Sequence, residues 1–380
     1  RFTSYYPRMK RLAQTFQKFD WVVLVSVLTL TIFGLTAIFS LDRGQELASY
    51  PFLTKQLVAF FIGIASVWLL TRLPYTFFKS TSTYVYVGAV LLLVGVLFFG
   101  ETIRGTRGWF VVAGYSLQPV EFAKIALLIH LAHFFARNRD HFRTWRFLFG
   151  SAVITAVPVT LTLLQPDAGS AMIMIGMWVV MVFVSGIRRT QFTLFVLAVM
   201  IFAAVSWSFL LEPYQKDRIR TFMDPAGDPL GRGYNVTQSI IAVGSGQFYG
   251  KGLGFGSQSQ LRFLPESRND FIFAAIAEEL GFIGSSVILI LLFAIWLRLL
   301  LGAQYARDDF SMFVLIGFLS ILIFQSLINI GMNMGITPVT GIGLPFVSYG
   351  GSSLIAQYMM IGVVLTVLMH TRRKGGHLIG

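Results

Sequence analysis

The chain has 380 residues, of which 55% are apolar and 12% charged, against roughly 25% charged in an ordinary soluble domain. So much apolar surface excludes a water-soluble fold of this length and makes lipid the solvent for most of the chain. Cysteine is absent, which excludes disulfides and thiolate metal sites, and the net charge of +13 has a topological origin that sets nucleic acid aside.

A basic stretch runs to Lys18. The first apolar run, Trp21 to Ser40, is about 20 residues, long enough to span and longer than a signal-peptide core. No small-residue cleavage site follows it, so it reads as the first span. Nine more apolar runs follow near 57–71, 83–99, 120–136, 146–164, 168–186, 191–211, 271–297, 310–331 and 353–370. The expected fold is all-α: one polytopic domain over 1–380, about ten transmembrane helices, and both termini cytoplasmic. A long extracytoplasmic loop, 212–270, joins helices 7 and 8, and a second long connection, 332–352, is rich in Gly and Pro.

With the N-terminus inside, 18 of the 30 basic residues and four of the 17 acidic ones fall on the inner side, leaving the outer side close to neutral. The basic balance is therefore a positive-inside pattern, and the tail Arg372-Arg373-Lys374 agrees with a cytoplasmic C-terminus.

Ionisable groups at membrane depth are costly and ask for a reason. Four clusters lie at outer helix ends. The first is Arg104-Gly-Thr-Arg107-Gly-Trp109 followed by Gln118-Pro119-Val-Glu121-Phe-Ala-Lys124. Glu121 and Lys124 share a helix face and can pair, or Lys124 and the arginines can meet an anionic headgroup. The second, Gln165-Pro166-Asp167-Ala-Gly-Ser170, is a tight link in which Asp167 can be an N-cap. The third is the long loop, where Lys216, Arg218, Arg220, Arg232, Lys251, Arg262 and Arg268 alternate with acidic residues and aromatics. A loop so long and glycine-rich is usually functional or disordered, and its aromatics favour ordered packing on the membrane surface. It closes on Asp270, which either caps the next helix or, half-buried against Phe271-Ile-Phe, has its pKa raised toward that of a general base. Glu278 and Glu279, two turns deeper, mark a polar interior or a structural pairing. The fourth cluster, Asn329 through Ser353, reads as a re-entrant or surface loop.

There is no His/Cys metal constellation, phosphate loop or Gly-x-Ser-x-Gly elbow. Two classes survive: a transporter or flippase, and a membrane-embedded transferase using a lipid-linked donor at the outer leaflet. Polar residues crowd the outer helix ends, which favours the enzyme.

Six motifs in order carry a family resemblance: Gln118-Pro119-Val-Glu121-Phe-Ala-Lys124, Gln165-Pro166-Asp167, Gly246 to Gly254 with Gln258-Ser-Gln260-Leu, Leu264-Pro-Glu266 to Asp270-Phe-Ile-Phe, Glu278-Glu-Leu-Gly281, and Pro345 to Gly351. Together they resemble the SEDS family of bacterial cell-shape and division proteins over nearly the whole chain. Gly244-Ser-Gly-Gln-Phe and Gly252 to Leu261 look more like the RodA elongation branch than the FtsW division branch. The resemblance implies a peptidoglycan glycosyltransferase of the bacterial cytoplasmic (inner) membrane, polymerising lipid II on its outer side for elongation and rod shape. It implies as partners a class B penicillin-binding protein (a transpeptidase), other elongation-machinery proteins, the nascent glycan strand and membrane lipids. Position by position, Asp270 matches the family's essential loop aspartate, and Trp109, Glu121, Lys124 and Asp167 match other positions it depends on. Ser267-Arg268-Asn269 stands where His-Thr is usual, and Gly108-Trp109 where Arg-Trp is usual. On this assignment Asp270 is the candidate base, and Lys124, Arg107, Arg218 and Arg220 are candidates for the departing diphosphate. A divalent cation, magnesium or manganese, held by Asp or Glu is an alternative counterion. A lipid II flippase is the competing function.

Overall fold

The computed structural model describes residues 19–44, 50–103, 105–112, 114–194, 197, 200, 216, 222–223, 232–261 and 263–372. Its long helices are α1 (Trp21–Gly44), α2 (Pro51–Leu70), α3 (Tyr75–Phe99), α4 (Pro119–Arg137), α5 (Trp145–Leu163), α6 (Ala168–Val184), α7 (Arg232–Ser245), α8 (Ile272–Gln304), α9 (Asp309–Asn333) and α10 (Gly351–Arg372). Among the described residues eight helices, all but α6 and α7, are long and apolar enough to cross a bilayer. The apolar α6 is shorter, at 17 residues. Nine of the expected spans therefore coincide with a helix. The expected span 191–211 lies outside the described residues except for 191–194, 197 and 200. The chain is an all-α, multi-pass membrane protein.

Two helices start earlier than their apolar runs. Helix α2 begins at Pro51, in the first-turn position where a missing N–H costs nothing, and carries Lys55 and Gln56 in its next turn. Helix α3 begins after Pro74 and carries Lys79-Ser-Thr-Ser82 before its apolar stretch. The 100–118 connection, expected only as a polar cluster, is an antiparallel sheet of three short strands: β1 (Glu101–Ile103), β2 (Thr106–Val112) and β3 (Tyr115–Leu117). Glu101 lies opposite Trp109, and Phe110 opposite Leu117.

Helices α4, α9 and α10 are the buried ones, and α2 and α3 show most of their length outward. Helix α10 packs along α2, α4 along α3, and α9 against α8, α4 and α6. Hydrogen bonds gather the start of α2 and the connections α3–α4, α5–α6, α7–α8 and α9–α10 at one end. Lys55 Nζ donates to Gly114 O, Gln56 Nε2 to Ser348 O, Gln118 Nε2 to Asp167 Oδ2, and Tyr349 N to Arg268 O. The other end holds the Arg298–Asp20 and Arg139–Asp309 ion pairs. On the charge count the first is the expected outer end and the second the expected inner end.

Helix α8 is broken. At Gly281 the backbone enters the left-handed region (φ 65°), where glycine avoids a Cβ clash. The segment 246–252, from the long loop, fills the break. Phe282 N donates to Gln247 O (2.8 Å) and Ile283 N to Phe248 O (3.2 Å). In return Lys251 N donates to Glu278 O (3.0 Å) and Gly252 N to Glu279 O (2.9 Å). Two rungs of the helical ladder are thus rerouted through the loop, which satisfies backbone groups that lipid could not. The fit is close: a Cβ at Gly246 would collide with the carbonyl of Ala277.

Candidate functional site

The carboxylates Glu278 and Glu279 anchor the same loop. Lys251 Nζ lies 2.9 Å from Glu278 Oε1. Glu278 also accepts from Gln258 N (2.9 Å), Ser259 N (3.0 Å) and Ser259 Oγ (2.9 Å). Glu279 Oε1 accepts from Ser40 Oγ (2.7 Å), Gln260 Nε2 (2.7 Å) and Gly254 N (3.2 Å). Of the two expectations, polar interior or structural pairing, these residues supply the pairing, and the loop from Gly246 to Gln260 is ordered packing.

Asp270 ends the loop, half-buried, two residues before α8. It is not the cap of that helix: the N-cap position is Phe271, and the N–H of Ala274 is taken by Asn333 Oδ1 at 2.9 Å. The approach to Asp270 is a tight turn in which Glu266 O accepts from the N–H groups of Asn269, Asp270 and Phe271 at 3.0, 3.1 and 3.3 Å. Distant elements hold this turn. Arg268 Nε donates to Asp42 Oδ1 (3.0 Å) at the end of α1, and its guanidinium sits over the Phe52 ring, 4.4 Å from the centroid. Ser348 Oγ donates to Asn269 O at 2.6 Å. The carbonyl of Asp270 accepts from both Asn329 Nδ2 and Asn333 Nδ2 at 2.9 Å. Arg268 and Asn269 are thus built into the turn.

The segment 340–342 runs beside the Asp270 carboxylate. A Cβ at Gly341 would stand 3.7 Å from Asp270 Oδ2, and its φ of 75° also favours glycine. On its other side the segment meets the start of α6: a Cβ at Gly169 would lie 3.2 Å from Thr340 O and 3.0 Å from Ile342 Cγ1. Asp167 caps that helix, accepting from Ser170 N (2.9 Å) and Ser170 Oγ (2.8 Å), as the N-cap reading expects. Gln118 Nε2 reaches Asp167 Oδ2 at 3.4 Å, and Gln118 N donates to Ser352 Oγ at 3.0 Å. The strand bearing Arg107 and Trp109 lies beside the same link, since a Cβ at Gly108 would stand 3.1 Å from Gln165 Oε1. Asp270, Asp167, Gln118 and β2 therefore border one outer-face neighbourhood around the 338–352 connection.

Three predicted site residues have partners of their own. Lys124 Nζ and Glu121 Oε1 are 2.8 Å apart in the first turns of α4, with Lys124 only 1% exposed and Glu121 8%. That is a buried, nearly neutral pair. Exposed Arg107 caps the end of α3, donating to Phe98 O (3.2 Å) and Gly100 O (3.3 Å). Trp109 is half-buried in β2. Arg218 and Arg220 lie outside the described residues. Among the described residues no three His, Asp or Glu side chains converge as a metal-holding group.

Sequence reasoning put Asn329 at the start of a re-entrant or surface loop, whereas it lies within α9, gave Ser348 no role beyond that loop, and passed over Asn333, Asp42 and Gln56. The usable signal was the spacing: two asparagines four apart in an apolar helix share one face.

The fold and this neighbourhood define a multi-pass membrane protein with a carboxylate-bearing polar site at one end of its helices. The chain belongs to the FtsW/RodA/SpoVE family, described as cell cycle proteins, whose model matches residues 20–373. It is 36% identical to stage V sporulation protein E of Bacillus subtilis (strain 168) over 92% of this chain and 97% of that protein. It is 35% identical to peptidoglycan glycosyltransferase MrdB of Escherichia coli (strain K12) over 93% and 94%. Among solved structures, a chain from work on coordinated polymerization and crosslinking by a peptidoglycan synthase complex matches with a TM-score of 0.76 and 35% identity, covering 93% of this chain and 99% of that one. The crystal structure of the rod shape determining protein RodA of Thermus thermophilus matches at 0.69 and 30% identity, over 93% and 98%.

Proposed function

We propose that this protein polymerises lipid II into glycan strands at the outer face of the bacterial cytoplasmic membrane, in the RodA branch and in the service of elongation. It is a peptidoglycan glycosyltransferase by family and by the named activity of its relatives. Asp270 is the base. The oxygen of the acceptor hydroxyl bonds to the anomeric carbon of the donor sugar while the bond from that carbon to the lipid diphosphate breaks. The hydroxyl proton passes to the Asp270 carboxylate, the diphosphate leaves on its lipid, and the anomeric configuration inverts.

The observation that carries this reading is the fixed setting of Asp270. Its turn is held from α1, α9 and the 338–352 connection, and glycine at 341 lets that connection run close beside its carboxylate. Arg107, with Arg218 and Arg220, supplies positive charge for the diphosphate, Trp109 offers a ring to a sugar, and Asp167 holds Gln118 in place. The buried Glu121–Lys124 pair acts by holding the first turns of α4. A magnesium or manganese ion carried by the diphosphate would ask the protein for only one or two carboxylates, and no step above is routed through it. The partner proposed is a class B penicillin-binding protein, by analogy with the synthase complex of the structural relative.

The flippase reading draws on one observation, the break in α8, because discontinuous helices often mark transport sites. Against it, loop 246–252 occupies that break and takes up the four backbone groups it would otherwise expose. The deciding experiment is polymerisation of purified lipid II in detergent, where flipping is unnecessary, by the chain with its cognate partner. The wild type should make polymer, and Asp270→Ala should lower the rate by about 10²–10⁴ with lipid II binding retained. Polymer at the wild-type rate from Asp270→Ala removes Asp270 from the chemistry, and no polymer from the wild type with its partner favours the flippase.

A further inference from the structure

We infer that Asn329 and Asn333 are positioning residues for Asp270, acting through its main-chain carbonyl; the inference rests on Asp270 being the base proposed above. Both asparagines are fully buried on one face of α9. A buried amide among apolar helices is costly unless its donors are used. Here they are used, and aimed at one place. The two N–H groups of Asn329 Nδ2 bridge two loops, donating to Asp270 O at 2.9 Å and to Ile342 O at 2.7 Å. Gly341, next to that second carbonyl, lies beside the Asp270 carboxylate. Asn333 Nδ2 donates to Asp270 O at 2.9 Å and to Asn329 O at 2.8 Å, while its Oδ1 accepts from Ala274 N at 2.9 Å.

One pair of amides thus fixes three things at once: the carbonyl of Asp270, the first turn of the helix that follows it, and the segment lining its carboxylate. The backbone that carries Asp270 and the backbone that runs beside its carboxylate are thus tied to the same face of α9. One turn deeper on the same helix the pattern stops, since buried Gln325 Oε1 and Ser326 Oγ have no hydrogen-bond partner among the described residues. Displacing a reacting group by about 1 Å is enough to cost a rate factor on the order of 10².

Two variants test this in the full chain with its cognate partner and lipid II. Asn333→Asp keeps an oxygen to accept from Ala274 N and replaces the amide donor. Asn329→Leu keeps the volume and removes both donors. Each should lower kcat by about tenfold or more while KM for lipid II stays within about twofold; Asn333→Asp sets an oxygen against the carbonyls of Asp270 and Asn329, so its unfolding temperature should fall as well. A kcat within about twofold of wild type in both variants overturns the inference. So does a rise of KM in step with the fall of kcat in both variants, which marks a structural role alone. Asp270→Asn in the same assay separates the two levels. Its wild-type rate would bring down the base and this inference together. Its inactivity, with both asparagine variants at the wild-type rate, would bring down this inference alone.

Discussion

The two ends of the helix bundle solve the same problem in opposite ways. At the inner end polar groups find partners close by. Asp308 caps its own helix through Ser311, Thr144 caps α5 through Phe147, and phenylalanines 134, 135, 142, 147 and 313 form one packed cluster. The longer links there, Arg298 to Asp20 at 2.7 Å and Arg139 to Asp309 at 3.4 Å, are simple charge pairs. At the outer end most partners come from far along the chain. Arg268 is held by Asp42, Glu279 by Ser40 and Gln260, Gln56 by the 348–350 backbone, and the start of α8 by Asn333. Irregular backbone survives beside lipid only when each group has a designated partner. The end that pays this cost is the end that carries the proposed chemistry.

Removing a keystone from each end tests that contrast. Glu278→Ala should have the largest effect, about 3–5 kcal/mol, because it leaves Lys251 and the buried donors around Ser259 without their acceptor. Thermal unfolding in detergent measures it, and a loss smaller than that of the inner-end variant below would break the contrast. Lys124→Met should cost about 3 kcal/mol by leaving buried Glu121 unpaired. The double variant Glu121→Gln with Lys124→Met should recover most of that and keep polymerising, whereas a stable but inactive double variant would return Lys124 to the substrate. At the inner end Arg298→Met should cost about 1–3 kcal/mol, the penalty for stranding the buried Asp20, with the polymerisation rate unchanged. Arg107→Ala should cost under about 1 kcal/mol of stability, since the side chain is exposed and only caps α3. If Arg107 meets the diphosphate, that small structural loss will accompany a rise in KM for lipid II.

Much of this was legible in the residues. The spans and the crowding of polar residues at one set of helix ends follow from hydropathy and spacing, which are local sums. Asp167 as a cap and Glu121 with Lys124 as a pair also follow from spacings of three along one helix. The sheet at 101–117 was not legible, because its longest strand has seven residues and its register is set by cross-strand contacts. The early starts of α2 and α3 were hidden by Lys55, Gln56 and Lys79-Ser-Thr-Ser82, which end an apolar run without ending a helix. The break at Gly281 left no local signal, since glycine is common in membrane helices and the loop that completes the break lies some thirty residues earlier.

That break has a mechanical consequence. Of α8's 33 residues, the segment below Gly281 is long enough to cross the bilayer unaided, and the segment above it leads straight to Asp270. Two rungs that would make these one rigid rod run through residues 247–252 instead. The bending stiffness between membrane anchor and proposed base is therefore a property of a splint encoded elsewhere in the chain. A tilt imposed on the lower segment would reach Asp270 only as faithfully as that splint transmits it.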